Sequence, residues 1–175
     1  WLATPPKGVP PAHAAGWVEV WRGEGGRVYA NARALPVVRL ASRAVPPPGD
    51  AGRGAWEGVD FATTAVVEGL PPRLGGPGRL TVVDQRPHRW RVQVRADGEV
   101  LAVLHVPHAV GWRAFLDGRE VPVVTANLAA MGVVVPAGEH QVEWRYSPPG
   151  LAAGAALTGL GLGGCLWLAL RRRRR

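Results

Sequence analysis

The chain has 175 residues with a net charge of +8, and a single cysteine excludes both an intrachain disulfide and a cysteine-based metal site. Five of the 21 Lys and Arg are the terminal arginines; without them 16 face 13 Asp and Glu, a net of +3, so the basic character belongs to a tail rather than to a nucleic-acid-binding domain.

Residues 1–16 are rich in Pro, Ala and Gly without periodicity and read as a linker from an upstream part. Trp1 opens the chain without Met or a signal peptide, so the expectation is the tail of a longer membrane protein. Trp17, Glu19 and Trp21 alternate with Val18 and Val20, a Gly-rich turn follows, and residues 27–30 resume, which predicts a hairpin. Short strands are expected at 37–40 and 61–67, with Pro/Gly loops at 46–54 and 70–78.

From Leu80 the pattern sharpens. Trp90, Val92 and Val94 fall on one side and Arg89, Arg91, Gln93 and Arg95 on the other, the period of a strand with one wet face. Residues 99–106 are more continuously apolar and should lie centrally. Asp117-Gly118 predicts a tight turn between 111–116 and 119–125, and Pro136 to Gly138 a second hairpin between 131–135 and 139–146. On the last strand Val142, Trp144 and Tyr146 oppose Gln141, Glu143 and Arg145. Eight to ten short strands without an amphipathic helix indicate a mainly β fold, a β-sandwich over 17–147.

Residues 151–170 carry no charge and precede five arginines, 171–175. As a helix they are about 30 Å long, the thickness of a bilayer's hydrocarbon core. The expectation is a C-terminal transmembrane α-helix over 148–170, beneath an extracytoplasmic β domain. A clustered Arg tail places the C-terminus in the cytoplasm, against anionic lipid. Gly154, Gly159 and Gly163 stand in small-residue spacing, which favours packing against upstream transmembrane helices.

The segment 106–150 resembles the C-terminal end of the YfhO-like bacterial membrane protein family. The likeness is carried by Gly111-Trp112, Asp117-Gly118, Val121-Pro122, Ala126-Asn127, Gly132-Val133, Val135 to Gly138, His140, Val142 and Tyr146. Upstream, Val28 to Asn31 and Leu35-Pro36 are similar to a further family element. The resemblance implies a polytopic, glycosyltransferase type C-like protein of the cell envelope. Such a protein takes sugar from a lipid-linked donor, with its catalytic carboxylate in an early loop that this chain does not contain. It implies an accessory domain and last helix without catalytic residues; the alternative is a non-catalytic carbohydrate-binding module on a membrane anchor.

The residues themselves call for no catalytic set, cofactor or metal: there is no HExxH, P-loop or Gly-x-Ser-x-Gly. His105 and His108, with Asp117 as a conceivable third ligand, read as strand-end coincidence. Asp117 and Gly118 read as turn formers, and Gly111, Asn127 and Gly138 as structural positions of the resembling motifs. Trp17, Trp21 and Trp112 are the candidates for a glycan, lipid-linked sugar or interface contact, although core packing is the stronger expectation for Trp112. The expected partners are the bilayer and the upstream helices, with no nucleic acid.

Overall fold

The computed structural model describes residues 2–4, 16–47, 58–67 and 74–173; the side chains of 2–4, 166, 168, 169, 172 and 173 are not described. Most of the expected linker, part of each Pro/Gly loop and Arg174-Arg175 lie outside the described residues. By contacts the chain forms two units, Trp1–Pro36 and Val37–Arg175.

The first unit is a three-stranded antiparallel sheet, ordered β1-β3-β2, of β1 (Leu2–Thr4), β2 (Trp17–Gly23) and β3 (Gly26–Asn31). The predicted hairpin is β2–β3. Residues 2–4, expected in the linker, instead supply an edge strand, pairing Leu2 with Tyr29 through Thr4 with Arg27.

The second unit contains β4 (Val38–Ala41), β5 (Arg43–Val45), β6 (Thr64–Val66), β7 (Gly78–Arg86), β8 (Arg89–Ala96), β9 (Val100–Pro107), β10 (Trp112–Leu116), β11 (Arg119–Val121), β12 (Val124–Ala126), β13 (Ala130–Val135), β14 (Gly138–Tyr146) and α1 (Leu151–Arg173). A five-stranded sheet, β11-β10-β14-β8-β7, faces a four-stranded sheet, β12-β13-β9-β4. Trp90, Val92 and Val94 of β8 and Val142 and Trp144 of β14 meet Val100, Ala102 and Leu104 of β9 and Met131, Val133 and Val135 of β13. This is the predicted β-sandwich core, built by period-two alternation. The parallel pair β5–β6 covers the other face of the four-stranded sheet, where Leu101 and Val103 pack with Ala41, Ala65, Val67 and Ala126. β9 is therefore buried on both faces, which is why its sequence is apolar without alternation.

Two local expectations are corrected. Residues 119–125 do not form one return strand: Pro122 has no N–H for a ladder, and the chain crosses there from β11 in one sheet to β12 in the other. Likewise β13 and β14 are not a hairpin. β13 pairs with β9 and β12, β14 with β8 and β10, and Pro136 to Gly138 arches between the sheets.

The single helix follows β14 through Pro148, Pro149 and Gly150, the last at φ 78°. Its first turn is anchored by Leu151 N–H donating to the Pro148 carbonyl at 3.2 Å. Its 23 residues give about 34 Å of length, but among the described residues no helix is long and apolar enough to cross a membrane.

Candidate functional site

The end of the sandwich from which α1 leaves is closed by a glycine. Gly111, at φ 108°, accepts a hydrogen bond from Ser147 N–H at 2.9 Å. A Cβ at this position would lie 2.5 Å from the Ser147 carbonyl oxygen, 3.0 Å from the Tyr146 ring and 3.2 Å from Pro149. Only glycine fits both the backbone conformation and the close approach. The next residue, Trp112, packs on the core and lies against Tyr146, with ring centroids 5.3 Å apart. Gly111-Trp112 therefore fixes how the last strand hands over to the helix.

The outer face of the five-stranded sheet carries an arginine–carboxylate lattice. Glu143 is buried, and Arg145 holds it through Nε and a second guanidinium nitrogen at 3.1 Å. Arg91 donates at 3.4 Å to Oε2, the oxygen that also accepts from that second nitrogen of Arg145. Arg89 Nε stands 2.6 Å from Glu143 but its N–H is not aimed at the carboxylate, so that contact is Coulombic rather than hydrogen-bonded. The hydrogen bonds from Arg145, then the charges of Arg145 and Arg91, hold the Glu143 carboxyl below its usual range against the opposing effect of burial. Asp84 pairs with Arg86 at 3.2 Å and approaches Arg89 at 3.8 Å. Sequence reasoning placed Glu143 on a wet face; the signal it missed is three arginines at the alternating positions around it on β8 and β14.

At the opposite end of β10, Asp117 (φ 50°) and Gly118 (φ 81°) form the predicted turn. Asp117 bonds a neighbouring strand rather than its own backbone: its carboxylate accepts from Gln141 N–H at 2.8 Å and lies 2.7 Å from His140 Nδ1. The other ring nitrogen of His140 faces the Ala137 carbonyl at 3.3 Å. An acceptor facing each ring nitrogen favours the protonated form of His140, whose pKa is raised, first by the Asp117 hydrogen bond. Asp117 is correspondingly lowered, first by Gln141 N–H and then by His140. A histidine with both nitrogens engaged is a clasp, not a general base. Gly138, at φ 124°, closes the arch beside it.

The histidine pair is not brought together with Asp117. His105 accepts from the buried Arg39 at 3.2 Å and its pKa is lowered, by burial and then by Arg39; His108 faces Thr125 at 3.4 Å. Among the described residues no group of three His, Cys, Asp or Glu could hold a metal. Arg39, which sequence reasoning passed over, also donates to the Thr64 carbonyl and so ties β4 to the β5–β6 layer. Asn127, at φ 50°, does the same for β12. Its N–H donates to the Val66 carbonyl at 2.7 Å and its side-chain oxygen accepts from Val66 N–H at 2.9 Å.

In the first unit Trp17 and Trp21 do not share a face. A bulge shifts the register so that Glu19 pairs with Tyr29 and Trp21 with Val28, turning Trp21 over relative to Trp17. Trp17 is half-buried, while Trp21 is 53% exposed with its indole across Gly23. On α1, Gly154, Gly159 and Gly163 face open space, and Arg171 stacks on Trp167 at 5.2 Å.

Residues 78–158, a little under half of the chain, match the family described as bacterial membrane protein YfhO. The match runs from β7 through β14 and into the first two turns of α1. The resemblance read from the motifs at 111–146 is thus shown over that stretch, while the likeness at Val28 to Asn31 and Leu35-Pro36 falls outside it. No curated protein and no solved structure matches the chain significantly.

Proposed function

Starting from the YfhO-like stretch at 78–158, we propose that this chain is the C-terminal accessory domain and last membrane helix of a polytopic bacterial envelope protein. The whole would transfer sugar from a lipid-linked donor to a cell-envelope glycopolymer, with the chemistry upstream and this part positioning substrate or bracing the bundle. The observation that carries the reading is that the family match, residues 78–158, spans the Gly111–Ser147–Pro149 junction and takes in the first eight residues of α1.

In this reading α1 lies in the bilayer with the β domain outside and the arginines inside. The uncharged run at 151–170 and the Arg block support that orientation. Over its described residues the helix is less apolar than a solitary anchor needs. That is tolerable for a last helix whose open glycine positions, Gly154, Gly159 and Gly163, pack on neighbouring spans.

The test is sugar transfer by membranes carrying the full open reading frame that encodes this chain. Deleting residues 37–147 should lower transfer to polymer, and the isolated 175-residue chain should transfer nothing. Transfer by the isolated chain would refute the reading. A carbohydrate-binding module is the second reading, favoured by the exposed indole of Trp21. It predicts saturable quenching of tryptophan fluorescence by envelope glycan that is lost in Trp21→Ala.

A further inference from the structure

Strand register places four arginines in one line across the five-stranded sheet. Arg86 of β7 pairs with Arg89 of β8, Arg89 with Arg145 of β14, and Arg145 with Arg113 of β10. Directly paired residues share a face, and neighbouring strands lie about 4.8 Å apart, so the line is about 14 Å long. Like charges placed opposite one another destabilise a sheet. The compensating carboxylates, Asp84, Glu143 and Glu120, occupy the next line inward, leaving the outermost line entirely cationic. This line lies at the end from which α1 departs, because Arg145 precedes Tyr146 and Arg113 follows Trp112.

The same end carries two exposed apolar tips. Val110, next to Gly111, is 82% exposed. Leu128, in the β12–β13 turn, is 65% exposed and has φ 77°, a conformation in which glycine or asparagine would cost less. The turn is held beside the Val110 loop, because His108 N–H donates to the Ala129 carbonyl at 2.7 Å. The strained leucine does nothing for the fold, and the arginines exceed the carboxylates that they hold: Arg86, Arg89, Arg91, Arg113 and Arg145 share this end of the face with Asp84, Glu143 and Glu120.

We infer that this end of the sandwich seats on an anionic bilayer surface, Val110 and Leu128 entering the headgroup region while Arg86, Arg89, Arg113 and Arg145 meet lipid phosphates. Cationic charge beside apolar tips is the complement of such a surface, and phosphate is matched by the planar guanidinium. The inference rests on α1 holding the chain at a membrane, and it names what the domain does there.

The test uses the whole chain with Cys165→Ala, carrying Val110→Cys, Leu128→Cys or, in the arch at the opposite end, Ala137→Cys. Each is labelled with an environment-sensitive fluorophore and reconstituted in phosphatidylcholine vesicles with or without phosphatidylglycerol. Labels at 110 and 128 should shift to the blue and be quenched by lipid-borne quenchers in the anionic vesicles, while 137 stays wet. Arg86→Gln and Arg113→Gln, both on exposed side chains, should each lower the ratio of seated to unseated domain roughly five-fold. Their thermal midpoints should match the parent, which separates seating from folding. If the chain floats with vesicles but 110 and 128 remain wet, the inference falls and the helix reading survives. If the chain does not float, both fall. Equal seating on neutral lipid, or loss of seating when a DNA duplex competes, would also overturn it.

Discussion

Replacing Glu143 by Gln tests whether the arginine–carboxylate lattice is part of the fold or an exposed decoration. The Glu143 side chain is 9% accessible and stands among three guanidiniums, two of them on side chains only 28% and 29% accessible. Gln keeps the volume and one carbonyl acceptor, so no cavity term arises; what is lost is the charge that offsets Arg89, Arg91 and Arg145. Truncating one partner of a fully buried pair costs about 3–5 kcal/mol, and an exposed pair about 0–1 kcal/mol. Glu143 lies between these limits, and the expected cost is about 2–3 kcal/mol. With a urea m-value of ~2 kcal/mol/M, the midpoint should fall by about 1 M at unchanged m. The sign with pH follows from the lowered carboxyl: this stabilisation is present above the ordinary glutamate value of 4.5 and is lost as pH falls through the folded value. Parent and variant should therefore converge in acid. Urea titrations in mild detergent, followed by tryptophan fluorescence, read both effects. A cost below about 0.5 kcal/mol at neutral pH would show that solvent screens the lattice, and would refute the reasoning.

Three further outcomes follow from the same structure. Gly111→Ala places a Cβ against the Ser147 carbonyl oxygen at a positive φ, and should cost about 2 kcal/mol or more in urea midpoint while opening residues 147–150 to protease. Leu101→Ala, at a fully buried position of β9, should cost about 3 kcal/mol in the same titration. The Asp117–His140 clasp should contribute most between Asp117's ordinary 3.8 and His140's ordinary 6.5. It weakens as pH rises through His140's raised value or falls through Asp117's lowered one. Asp117→Asn should flatten both flanks of the urea midpoint against pH.

What was legible in the sequence was what period two and turn chemistry control. β8 and β14 were readable because Trp90, Val92, Val94, Val142 and Trp144 alternate with polar residues, and the Asp117-Gly118 turn because few residues tolerate positive φ. Sheet membership was not legible. β13 and β14 read as a hairpin because an arch between two sheets uses the same Pro and Gly residues as a turn within one. The bulge that separates Trp17 from Trp21 left no mark on the alternation, since inserting one residue flips every side chain beyond it. β5 and the Leu2–Thr4 strand are three residues each, too short for a period to show. The arginine line was invisible because it exists only across four strands whose pairing no single segment records.

The native Cys165, the only cysteine of the chain and placed within α1, offers the most direct test of the membrane reading without any substitution. The whole chain, reconstituted in liposomes, is treated with a charged, impermeant maleimide from outside and, after loading, from inside. The account predicts that Cys165 resists this reagent from both sides yet reacts with a membrane-soluble maleimide. Rapid labelling by the charged reagent from either side would place α1 in water and contradict the account.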